Sequence, residues 1–168
     1  MSRVQQGRFT ADVASLGDEI VVFVIGMRIN RPLKVAAWWP VFTAMPRMLR
    51  HLSDHPDKGL LGYQQSLAPL FLVQYWRSFE DLERFARDRD DPHLEAWRRF
   101  NARVNRSGDV GIWHETYRVR TDAVETIYGN MPVHGLAAAG SVPVRRGGDS
   151  AAARIGAAAT DEPVLPPY

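Results

Sequence analysis

The chain has 168 residues, 45% hydrophobic and 24% charged, which is the composition of a folded globular domain and excludes a wholly disordered chain. Lys and Arg number 21 against 19 Asp and Glu, a net charge of +2 with no basic block behind it. There is no cysteine, which excludes a disulfide scaffold, a thiol nucleophile, a zinc–thiolate site, a cysteine-ligated iron–sulfur cluster and a thiolate-ligated haem.

Residues 1–12 carry no apolar stretch of the signal-peptide kind. The longest apolar run, residues 20–27, ends at Arg28, well short of the ~20 residues that cross a bilayer. The expectation is a cytoplasmic protein with no membrane partner. Residues 19–29 (EIVVFVIGMRI) are β-branched and almost continuously apolar, which predicts a central strand buried on both faces. Residues 33–54 are helical in content but hold Pro40 and Pro46. Because proline removes a backbone donor and crowds the preceding turn, the prediction is a short helix to Trp39 and a second helix from Pro40 or Pro46. Trp38, Phe42, Met45, Leu49 and Leu52 would form the apolar stripe.

Residues 60–67 and 70–76 read as two strands joined into a hairpin through Ala68-Pro69. Ser78 reads as an N-cap ahead of the stripe Leu82, Phe85 and Ala86. Asp91-Pro92 reads as the start of another helix, with Leu94, Trp97, Phe100 and Val104 as its buried face. Residues 110–120 (VGIWHETYRVR) read as the last strand. Strand, helix, strand, strand, helix, strand is the split βαβ, ferredoxin-like order of an α+β fold. From Ala139 onward Gly, Ala, Pro, Ser and Arg dominate. Residues 1–138 are therefore expected to be the folded domain and 139–168 a disordered tail. Helices on one face leave the other face of the sheet bare, so a homodimer is expected.

Strand alternation sorts the polar side chains by face. A face holding Arg28, Gln64, Gln74, Trp76 and His114 would make an apolar pocket with convergent polar groups, the usual form of a small-molecule site. Arg28, Gln74 and His114 are the catalytic candidates. Trp76, Gln64, Tyr117 and Trp113 are the substrate-contact candidates. His114 ranks first, since imidazole serves as acid, base or ligand near neutral pH; its alternative is a buried histidine bonded to a backbone carbonyl. His51 and His55 have helical metal-ligand spacing, but Pro56 pulls His55 out of helical geometry and no third ligand is evident, so no metal site is assigned. His93 and His134 fall on a helix start and a loop. Arg98, Arg99, Arg103 and Arg106 alternate with buried aromatics and read as a solvated helix face, not a nucleic-acid surface. Asn105 sits in a sequon that has no secretion signal to serve.

The segments GRFTAD, VVFVIGMRIN, AMPRMLRHL, LLGYQ, LVQYWRSFEDLERFARD, HLEAWRRFN, GDVGIWHETY and NMPVHGLAAAG together resemble the monooxygenase-like family catalogued as domain of unknown function 4188. The resemblance spans about residues 7–140. It implies kinship with the antibiotic-biosynthesis monooxygenases and the haem-handling aldoxime dehydratases, which share a dimeric α+β barrel. It implies either cofactor-free oxygenation of a small hydrophobic molecule or haem chemistry with a histidine, or else a tyrosine, as axial ligand. A non-catalytic ligand-binding barrel is the remaining reading.

Overall fold

The computed structural model describes residues 3–89, 98, 100, 101, 107–144, 148 and 150–156. Its main sheet is built from β2 (Glu19–Ile29), β3 (Leu60–Leu67), β4 (Leu70–Trp76) and β5 (Val110–Arg120). The order β3-β4-β2-β5, antiparallel throughout, is the ferredoxin-like order expected from the succession of elements. α1 (Val35–Asp54) and α2 (Phe79–Arg87) lie on one face. They close a core of Val21, Met48, Leu52, Trp76, Leu82 and Phe85. The Ser78 hydroxyl accepts from the backbone N–H of Asp81, capping α2 as predicted. The helix expected from Asp91 lies outside the described residues, His93 included, except that Arg98, Phe100 and Asn101 are helical.

The predicted break in α1 is absent. Pro40 and Pro46 sit inside one 20-residue helix. Both are exposed, so the carbonyls they leave unpaired can meet water. The buried residues Met48, Leu49 and Leu52 anchor the C-terminal half of the helix, and their packing outweighs a local penalty of about 3 kcal/mol per proline.

A second sheet was not foreseen. β1 (Val4–Ala11) lies between β6 (Tyr128–Pro132) and β7 (Ser141–Pro143). The sequence VQQGRFTA does not alternate cleanly because the ladder is irregular between Gln5 and Arg8. Gly7 takes φ +83° there and its N–H donates to Asn130 Oδ1 at 2.9 Å. Phe9 stacks on Tyr128 with ring centroids 5.1 Å apart. Phe9, Ala11, Tyr128, Leu136 and Ala137 join Ile20 in a second core, against which Leu61, Tyr75 and Val119 of the main sheet pack.

This corrects two expectations. The sheet face opposite the helices is covered at one end by the chain itself. The order also continues past residue 138: β7 pairs with β1, Asp12 N–H donates to Gly140 O at 2.8 Å, and Arg154 of the short helix Ala151–Arg154 pairs with Glu125. Backbone pairing to an existing strand edge satisfies a small-residue segment that composition alone reads as unable to fold.

Candidate functional site

A cavity of about 1040 Å³ opens between the helix-bearing face of the main sheet and helices α1 and α2. Phe23, Ile25 and Leu72 floor it, Phe42 and Met45 of α1 wall it, and Phe85 of α2 closes one side. The floor follows from register. Phe23 pairs with Gln74 on one side and Thr116 on the other; Ile25 pairs with Leu72 and His114. One row across the sheet is therefore Thr116–Phe23–Gln74 and the next is His114–Ile25–Leu72.

Gln74 is 4% exposed. Its Oε1 accepts from the Trp76 indole N–H at 2.9 Å, and its Nε2 faces the Met45 sulfur at 3.9 Å. Trp76, next to it on the same face of β4, is wholly buried. His114 stands at the open side of the cavity, exposed, with its ring 5.5 Å from that of Phe23. The structural alternative for His114, a buried ring tied to a carbonyl, does not hold for an exposed side chain. Thr116 lies beside it on the same face.

The remaining sequence candidates are elsewhere. Arg28 pairs with Gly111, which puts it on the face away from the helices. Gln64 pairs with Val73 on that same face and its side chain lies against Gly135. Trp113 and Tyr117 share that face too, 45% and 48% exposed. Trp113 lies flat over Gly26, where a Cβ would meet the indole at 2.5 Å. Tyr117 donates to Glu115 at 2.6 Å, and that carboxylate pushes the phenol above its ordinary pKa. Grouping Arg28 and Gln64 with His114 is thus corrected. Alternation fixes parity within a strand, but cross-strand register fixes which parities share a face, and β3 carries an irregularity between Leu60 and Gly62 that shifts its pairing. Gln74, Trp76 and His114 do share a face. Trp76 lies beside Gln74, packed against the helices in the core, and its N–H is spent on Gln74.

The cavity residues contributed by α1 were read from sequence only as core stripe. Phe42 and Met45 belong to that stripe, and they line a void because the helix stands off the sheet at its N-terminal half, where Trp39 is 52% exposed. That half is fixed at its start by Asp109. The Lys34 ammonium donates to both carboxylate oxygens at 3.1 Å and Arg31 lies 3.4 Å away. The Lys34 hydrogen bond holds the Asp109 carboxyl below its ordinary pKa, against the opposing effect of burial.

The other histidines do not reach the cavity. His51 and His55 stack at 4.3 Å, with His55 Nδ1 2.8 Å from the His51 carbonyl oxygen. His134 packs edge-on against Tyr128 and its Nδ1 is 3.0 Å from Pro132 O. Among the described residues no group of three His, Asp or Glu side chains is arranged to hold a metal, and no helix is long and apolar enough to cross a membrane.

Comparison with known proteins bears on the same region. The chain is 30% identical over 151 residues to monooxygenase af470 of Aspergillus fumigatus, an alignment covering 77% of this chain and 53% of that protein. The chain thus spans about half the length of this curated relative. Among solved structures it superposes on an aldoxime dehydratase crystallised with butyraldoxime at a TM-score of 0.45, with 15% identity over 80% of this chain and 41% of that one. A second aldoxime dehydratase gives a TM-score of 0.42 with 17% identity, over 79% and 42%. The family model for monooxygenase af470-like proteins matches residues 20–136, which takes in the main sheet apart from Glu19, together with α1, α2 and the cavity between them. The chain belongs to the monooxygenase af470-like family.

Proposed function

We propose that the chain is a small-molecule enzyme of the monooxygenase type, taking a hydrophobic substrate into the cavity between α1, α2 and the main sheet. One observation carries this reading: an apolar void of about 1040 Å³, at the upper end of small-molecule pockets of roughly 300–1,000 Å³, with a buried amide in its floor and an imidazole at its open side. A hydrophobic substrate filling the cavity would exclude water from Gln74, which is only 4% exposed, and would strengthen the polar contact made there. His114 is the group placed to take a proton from the substrate and return it. In a cofactor-free form the substrate itself supplies all four electrons that reduce dioxygen. A methylene loses two hydrogens and gains one atom of dioxygen, and the other atom leaves as water. Kinship with the antibiotic-biosynthesis monooxygenases, expected from sequence, belongs to this reading.

Haem dependence is a second reading, favoured by His114 and Arg47 both lining the cavity. His114 would hold the iron and Arg47 a propionate, and haem would supply redox chemistry at that iron. The visible spectrum of the purified protein separates the two readings: a Soret band that is lost in His114→Ala supports haem, and a colourless, active protein excludes it. Mass spectrometry of a small molecule released on denaturation tests the site. A hydrophobic compound that is absent from a His114→Ala preparation, or turned over only by the wild type, supports the reading. Equal turnover by wild type and variant would contradict the role of His114.

We also read the functional unit as a homodimer. Val22, Val24, Trp113 and Tyr117 share the part of the sheet face that the small second sheet leaves open, and a second copy would cover it.

A further inference from the structure

The floor of the cavity restricts what the substrate is, and this rests on the cavity being the substrate site. An indole N–H can only donate, so the Gln74 atom 2.9 Å from Trp76 Nε1 must be the amide oxygen. Trp76 is fully buried on β4 and cannot turn away, so the Gln74 amide is locked in one orientation. Its NH₂ group is thereby turned away from Trp76, in a side chain that lines the cavity and is 4% exposed.

That NH₂ has two hydrogens to place. The Met45 sulfur at 3.9 Å is a weak acceptor and can take one. Phe23, Leu72 and Phe42 of the floor and walls accept nothing, and the Tyr63 phenol, cross-strand from Gln74 on β3, makes no hydrogen bond with it among the described contacts. The Thr43 hydroxyl, also in the lining, donates to Trp39 O at 3.0 Å; its oxygen could still accept, but among the described contacts no hydrogen bond joins it to Gln74 Nε2. A buried donor without a full acceptor is costly when left empty, and it pays when a ligand brings the missing oxygen.

We infer that the cavity selects an apolar molecule carrying one hydrogen-bond-accepting oxygen, a carbonyl or phenolate, received by Gln74 Nε2. His114 lies two strands away and one pair along. From ordinary strand and residue spacings the two Cα atoms are about 12 Å apart. The substrate therefore has its accepting oxygen at the buried end, and a part nearer the opening faces the imidazole. A plain hydrocarbon, or a molecule whose buried end is only a donor, leaves the amide unanswered.

The test uses two probes of equal size, acetylnaphthalene and ethylnaphthalene substituted at the same ring position, titrated against the full chain by calorimetry. Wild type should bind the ketone roughly fivefold tighter, the worth of one net neutral hydrogen bond. Gln74→Glu keeps an oxygen for Trp76 but replaces the donor by a carboxylate oxygen. At mildly alkaline pH it should bind the ketone no better than the hydrocarbon. Gln74→Met removes the donor without adding charge and should also equalise the probes; melting curves establish that each variant is folded. Equal affinities in the wild type would overturn the inference and leave the cavity as the site. A preference that survives in a folded Gln74→Met would overturn it too. If neither probe binds the wild type, the reading of the cavity fails and the inference falls with it. If both variants unfold, the wild-type preference alone decides.

Discussion

Among single residues, the buried Gln74 and the exposed His114 are the two lining groups to which the proposed function gives separate roles. His114 touches only the Phe23 ring among the contacts described for it, and it is exposed. His114→Ala should therefore cut turnover or ligand affinity at least tenfold while the melting temperature moves by less than about 2 °C, as for other exposed positions. A drop of several degrees with unchanged binding would make it a structural residue. Asp109 acts at a distance, by holding the start of α1 through Lys34 and Arg31. Its folded pKa lies below the ordinary value of 3.8 because of the Lys34 hydrogen bond. The stability it contributes is complete above that unfolded value and is lost as pH falls through the lower folded one. Asp109→Asn should lower the urea midpoint at pH 7, and the gap from wild type should close in acid below the ordinary carboxylate range. A gap that stayed constant with pH would show that the ion pair is not its cause. His114 could be singled out in the sequence because a histidine amid β formers in a strand is uncommon company. For Gln74, alternation already places Trp76 on the same strand face, but the hydrogen bond that locks the amide is visible only in the folded geometry.

Among elements, the four strands of the main sheet were legible to the residue: 19–29, 60–67, 70–76 and 110–120 agree with the observed bounds. Dense β-branched and aromatic runs closed by Pro, Gly or Asn leave little ambiguity. Register was not legible. It is set by hydrogen-bonded pairing and by the irregularity after Leu60, and its absence is why Arg28 and Gln64 were grouped with His114. Proline as a local breaker predicts two helices over 33–54, whereas the packing of Met48, Leu49 and Leu52 holds α1 as one. The small sheet was illegible for a related reason: β1 and β6 have no periodicity of their own, and their order depends on Gly7, Asn130 and the core they share. The junction between the two sheets runs through Gly62, where any Cβ would collide with the Gly135 carbonyl oxygen. Gly62→Ala should cost about 3 kcal/mol by overpacking, read as a lowered denaturant midpoint at unchanged slope. Gly129→Ala, whose Cβ meets nothing within 4 Å, is the control and should be close to neutral. Similar midpoints for the two variants would show that the small sheet does not dock there.

For the whole molecule, the fold class and strand order followed from the succession of elements, whereas the C-terminal boundary did not. Composition described residues 139–156 as a segment unable to build a core. The structure gives part of it a strand edge to pair with and an Arg154–Glu125 contact instead. A chain ending at residue 138 should melt about 4–8 °C below one ending at residue 156, corresponding to about 2 kcal/mol in a domain of this size; equal melting temperatures would restore the expected boundary. Light scattering at micromolar concentration should give twice the chain mass, since Trp113 and Tyr117 remain half exposed on the open sheet face; a stable monomer would contradict the dimer. The proposed function requires a hydrophobic molecule to be held on the helix-bearing face of the main sheet. Side-chain NMR during titration with acetylnaphthalene tests it most directly. The Gln74 amide, the His114 ring and the Trp39 indole should shift together and saturate at one affinity, while Trp113 and Tyr117 on the opposite face stay in place. Shifts confined to Trp113 and Tyr117, with Gln74 and His114 unmoved, would contradict it.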